Sequence, residues 1–168
     1  MIKAIVVAGL ISGVFAVAAS DDFKVPFPEG YRRWTFLHGT VIGANNGSLG
    51  KDKCEKPCTG GIMYFYANDK AMEGFRTGRF PEGSIIADEL LETEEQPERK
   101  SAKEGRRRGV GVMAKDSNRY ASTGGWGYAS FDGDSKVDEN TEAQKKACFQ
   151  CHLPRKDQDY VFSHYRER

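Results

Sequence analysis

The chain has 168 residues and a formal net charge of +1, with 25 lysines and arginines set against 24 aspartates and glutamates. That balance excludes the strongly basic surface of a nucleic-acid-binding protein and gives no electrostatic reason to expect a membrane partner.

Lys3 leads into an uninterrupted run of small and apolar residues from Ala4 to Ala19. The run is too short for a spanning helix, and Ala16-Val17-Ala18 offers a signal peptidase the small side chains it needs. A signal peptide over residues 1–19 is therefore expected, with export to the periplasm. A retained anchor is the alternative, but Asp21 and Asp22 stand where a positive stop-transfer cluster would be. Residues 20–168 then form one domain, near the commonest size for a single core.

Within that domain, Trp34 to Val41 is rich in aromatic and β-branched residues and runs to the turn-forming Ala44-Asn45-Asn46-Gly47, which predicts a first strand. Cys54 and Cys58 flank Glu55-Lys56-Pro57. In an exported protein they are expected to pair as a small-loop disulfide; a metal site would need two further ligands from elsewhere. Ile62 to Tyr66 reads as a second strand. The period then changes: Asn68 suits an N-cap, Met72 and Phe75 share a helical face, and Gly78 suits the position after the last turn.

Phe80-Pro81-Glu82-Gly83 turns into a third strand from Ser84 to Leu91. Alternation places Ser84, Ile86, Asp88 and Leu90 on one face of it. Glu92 to Gly105 is expected to be a charged loop, with Arg106-Arg107-Arg108 as a solvated, locally paired run. Gly109 to Ala114 and Gly125 to Phe131 complete five strands, which favour a mainly β, α+β fold with a curved antiparallel sheet. Thr141 then caps a C-terminal helix that continues to Cys151.

That helix ends in Cys148-Phe149-Gln150-Cys151-His152, a C-x-x-C-H sequence of the kind that attaches haem c. Residues three and four apart share a helical face, so both thiols can reach the two vinyl groups while the imidazole reaches the iron. One covalent haem per chain is expected, with His152 as the proximal iron ligand. A thioredoxin-like redox pair and half of a zinc site are the competing readings. The adjacent histidine and the lack of a second matching cysteine pair count against both. Candidates for a sixth iron ligand are His38, His164, Met63, Met72 and Met113, and their presence keeps a six-coordinate electron carrier open.

Several segments together resemble the cytochrome P-460 family and its relatives, the cytochromes c′-beta. These are Pro28 to Trp34, Tyr66 to Ala71, Gly78 to Ser84, Ala114 to Ser117, Gly125 to Tyr128 and Ala147 to His152. The haem motif alone is specific; the order and spacing of the rest add to it. The resemblance implies a mostly β homodimer with a five-coordinate haem whose distal side lies against the sheet. Cytochromes P-460 oxidise hydroxylamine through a lysine cross-linked to the haem ring, and this sequence has Asp88 at the matching place, just before Glu89-Leu90. Lys70, on the helical segment, is a poor substitute. The departure favours the cytochrome c′-beta side, whose members bind nitric oxide beneath bulky aromatic side chains. Phe36 and Phe65 are the candidate cap, each also readable as core packing. Met63 stands where hydroxylamine-oxidising relatives carry a distal arginine. The enzyme readings are a hydroxylamine oxidase that tolerates Asp88, or a peroxidase using Asp88 as an acid-base group. A redox protein is a further expected partner.

Overall fold

The computed structural model describes residues 24–43 and 60–165. The signal segment, the Ala44–Gly47 turn and the Cys54–Cys58 pair lie outside the described residues.

Five strands follow one another and pair with their sequence neighbours: β1 (Thr35–Gly43), β2 (Gly60–Ala67), β3 (Ile85–Gln96), β4 (Ser101–Lys115) and β5 (Trp126–Asp132). Every pairing is antiparallel. The mainly β, α+β class is thus as expected, but the sheet is open and uncurled where curvature was expected. Closure would require β1 to pair with β5, and they are instead the two edges.

Two helices complete the fold. Helix α1 (Asp69–Thr77) starts where the Asn68 side chain accepts a hydrogen bond from the Ala71 amide, and it stops at Gly78, whose φ of 78° is readily available only to glycine. Its Gly74 gives room to the Phe80 ring, 2.3 Å from where a Cβ would stand. Helix α2 (Glu142–His152) opens on a capping box between Thr141 and Gln144.

Each face of the sheet carries a core. On one face Ala87, Val110, Val112 and Phe131 pack with Val25 and Tyr31 from the N-terminal segment. On the other, Ala67, Ile86, Trp126 and Tyr128 pack with Ala71 of α1 and Val161 of the C-terminal segment, and Cys148 of α2 joins them.

The Glu92–Gly105 segment is not a loop. Thr93 pairs with Glu104, Glu94 with Lys103, and Gln96 with Ser101, so β3 and β4 extend into a two-stranded arm that turns at Pro97–Arg99. The charge pairing anticipated for this stretch is what offsets its poor strand propensity. Lys103 lies 2.8 Å from Glu94, and Arg106 lies 3.1 Å from Glu92. Arg108 departs from the expected solvated run: its side chain is buried and bonds Glu92 at 3.0 Å.

Candidate functional site

Between the second face of the sheet and α2 lies a cavity of about 800 Å³. That is within the usual range of roughly 300–1,000 Å³ for cofactor and ligand sites. Met63 and Phe65 of β2, Ile86, Asp88 and Leu90 of β3, and Met113 of β4 form its sheet wall. Cys148 and His152 of α2 line it too, with Tyr128 of β5 and Phe162 of the C-terminal segment.

Helical spacing explains the α2 contribution. Cys148 and His152 are four apart and share the inward face, while Cys151 is exposed. Both cysteines are free, and burial pushes the Cys148 thiol up from its ordinary value.

The imidazole of His152 is held by its Nδ1, 2.7 Å from the Tyr160 carbonyl oxygen. A carbonyl only accepts, so Nδ1 carries the proton and Nε2 keeps its lone pair. Burial lowers the pKa of His152, and the carbonyl bond opposes that shift only in part. The ring is therefore neutral, flanked by Tyr128 at 5.2 Å and Phe162 at 4.9 Å between ring centroids.

Alternation along β3 places Asp88 in the cavity wall. Its carboxylate lies over Gly111, where a Cβ would stand 2.3 Å from Oδ2, and it accepts a hydrogen bond from the Gly111 amide. Burial, the larger effect, pushes its pKa up to about 6. Its residual exposure is to the cavity it lines.

Phe36 does not reach this cavity. A bulge between Phe36 and His38 adds a residue to β1, so Phe36 falls on the opposite face, its ring 5.9 Å from Tyr64 and 5.8 Å from Tyr66. His38 points to the Phe65 side and stacks on that ring at 4.5 Å, with His164 stacked on it in turn at 5.6 Å. Met72 packs in the core under α1. Of the five sixth-ligand candidates, the cavity wall includes Met63 and Met113. Lys70 donates to the Glu82 carbonyl at 3.1 Å, and among the described residues no lysine lines the cavity.

Sequence reasoning missed Tyr160, Tyr128 and Arg108, which the fold brings to the site. Tyr160 acts through its backbone carbonyl, for which no side-chain pattern could signal. Arg108 was hidden within a run of three arginines.

Cys148 and a neutral imidazole facing a cavity of this size, with the second thiol, Cys151, exposed one turn along the same helix, are the donor set of a c-type haem site. The Tyr128 hydroxyl adds to the fit, being buried at the cavity with no hydrogen-bond partner among the described residues. Cys148 and Cys151 would hold the haem, and His152 Nε2 would ligate its iron. Residues 28–163 match the Cytochrome P460 family, and the chain belongs to it. With that membership it is a c-type cytochrome that binds haem and its iron. No curated protein matches the chain.

Proposed function

We propose that this is an exported, periplasmic cytochrome with one covalent haem c per chain, whose open distal position takes a small uncharged ligand such as nitric oxide. The observation that carries this reading is the site's asymmetry. On the α2 side a single imidazole is fixed with Nε2 free, and on the sheet side Met63, Phe65, Ile86 and Leu90 present a mostly apolar wall that also carries the charged side chains of Asp88 and Arg108. Haem iron, once bound, supplies the coordination position for the small ligand. The protein's part is to fix the proximal nitrogen, exclude water and disfavour charged ligands. Among the described residues no lysine lines the cavity to form a ring bond, which speaks against hydroxylamine oxidation of the cytochrome P-460 kind. A homodimer, and a redox protein as electron partner, belong to the same proposal.

A second reading has its own support. Asp88, with its pKa pushed up to about 6, holds a proton that it can release near neutral pH, as an acid-base group of a peroxidase-like enzyme must.

The test is the protein matured in a host that attaches haem c. Pyridine haemochrome and protein mass should report one covalent haem, and Cys148→Ala or Cys151→Ala should lose most of it. The ferrous spectrum should be five-coordinate and shift on addition of nitric oxide. A sharp low-spin ferrous spectrum indifferent to nitric oxide would make the protein an electron carrier through Met63 or Met113. Brisk hydroxylamine or peroxide turnover that Asp88→Asn abolishes would establish the second reading.

A further inference from the structure

The carbonyl that holds His152 belongs to an unusual piece of backbone. Asp159 and Tyr160 follow α2 by one short 3-10 segment and have φ values of 50° and 64°, both in the left-handed region that side chains with a Cβ rarely occupy. Two such residues in succession reverse the chain and return the Tyr160 carbonyl to His152 Nδ1. The Tyr160 amide bonds back to the Arg155 carbonyl at 2.7 Å. Such a conformation persists only where its surroundings over-determine it.

The surroundings here converge on one side chain. Asp159 Oδ1 accepts from Lys115 Nζ at 2.7 Å and from the Trp126 indole at 3.3 Å, and Oδ2 accepts from the Phe80 amide at 3.0 Å. These donors come from β4, from β5 and from the turn after α1, so three separate parts of the fold clamp the residue. The Lys115 side chain is 9% exposed and that of Asp159 is 18% exposed, which makes this ion pair an interior one. Lys115 also donates to the Gly124 carbonyl at 3.2 Å. The missing Cβ of Gly124 leaves room for the Tyr160 ring, 2.4 Å from where that atom would stand. A surface turn of the same shape would need none of this.

We propose that Asp159 is a positioning residue for the proximal ligand, setting the orientation and basicity of His152 through the Tyr160 carbonyl. This rests on the reading of His152 as the iron ligand. A fixed acceptor at Nδ1 holds the ring plane and makes Nε2 a stronger donor, as outer hydrogen bonds to ligating histidines do. Loosening the Asp159 clamp should lengthen or misalign that bond and weaken the donation from Nε2.

The experiment uses the haem-loaded protein with Asp159→Ala, Asp159→Asn and Lys115→Met, reading the iron–histidine stretching band of the ferrous form and the reduction potential. Asp159→Ala should lower the band frequency and move the potential to a more positive value. Asp159→Asn and Lys115→Met, which remove the ion pair while keeping most of the volume, should move both readouts the same way by less. They keep the question answerable if the alanine variant does not fold. A drop in melting temperature with band and potential unmoved would make Asp159 merely structural and overturn the inference. An unmodified protein without covalent haem would instead overturn the functional reading beneath it.

Discussion

Asp88 and Glu89 are neighbours on β3, both shielded from bulk solvent, and they meet opposite surroundings. Glu89 faces the N-terminal side of the sheet, is 2% exposed, and receives a two-pronged grip from Arg32, with Arg107 at 3.5 Å. Asp88 faces the cavity, has no cation paired with it among the described residues, and leans on a backbone amide. The contrast teaches that burial alone does not decide what a carboxylate is for. A buried carboxylate gripped by cations is part of the scaffold. One kept without a cation beside a cavity, and so titrating near neutral, is what functional sites contain.

The largest effect should come from breaking the gripped carboxylate. Glu89→Ala takes the carboxylate from Arg32 and leaves Arg107 with Asp134 as its remaining anionic partner, and it should cost about 3 kcal/mol in a urea unfolding titration. That is the low end for breaking a buried ion pair, because the Arg32 side chain is 59% exposed and can turn to solvent. A loss below about 1 kcal/mol would place Glu89 among ordinary surface pairs and dissolve the comparison.

The ungripped carboxylate should behave in the opposite sense. The pKa of Asp88 is about 6 in the folded protein against 3.8 ordinarily, so between about pH 4 and 6 the fold holds a proton that the unfolded chain has released. Stability therefore falls as pH rises through that window, and the cost remains in full above it. Asp88→Asn should remove that slope and add about 1–2 kcal/mol of stability above pH 6, seen by repeating the unfolding titration across pH. A loss at neutral pH would mean that Asp88 has a cationic partner after all.

Much of this was legible in the sequence because its signals were local. Asn68, Gly78 and Thr141 marked helix ends by their own chemistry, and the C-x-x-C-H spacing placed Cys148 and His152 on one helical face. Alternation along β3 put Ile86, Asp88 and Leu90 on the face that lines the cavity. The resemblance offered Phe36 beside Phe65 as a cap, and it missed because a bulge inserts a residue into β1 without any composition that announces it. The Glu92–Gly105 arm was hidden for the converse reason: its residues are poor strand formers one by one, and only the opposite strand supplies the pairing that makes them a ladder. The clamp at Asp159 joins residues more than thirty positions apart, from Phe80, Lys115 and Trp126, and no window along the chain contains it.

The smallest expected effect lies at the rim of Glu89's face and sharpens the contrast from outside. Tyr64 and Glu89 are opposite one another across β2 and β3, and the Tyr64 hydroxyl donates to Glu104 Oε1 on the arm at 2.5 Å. That bond, ahead of burial, pushes the Tyr64 pKa up to about 12. The folded chain keeps the phenol proton longer than the unfolded one, so the bond's stabilisation is present below about pH 10 and is lost as pH rises toward 12. Because the pair is exposed, Glu104→Ala should change stability at neutral pH by less than about 1 kcal/mol while returning the Tyr64 titration toward 10. With seven tyrosines in the chain, the phenolate absorbance must be assigned by difference against Tyr64→Phe. Glu89 and Glu104 then form a matched pair: removing the buried carboxylate moves stability, and removing the exposed one moves a titration. If Tyr64 still titrated near 12 without Glu104, the nearby Glu89 charge and burial would be holding its proton, and the gripped carboxylate would reach further across the sheet than its arginines allow.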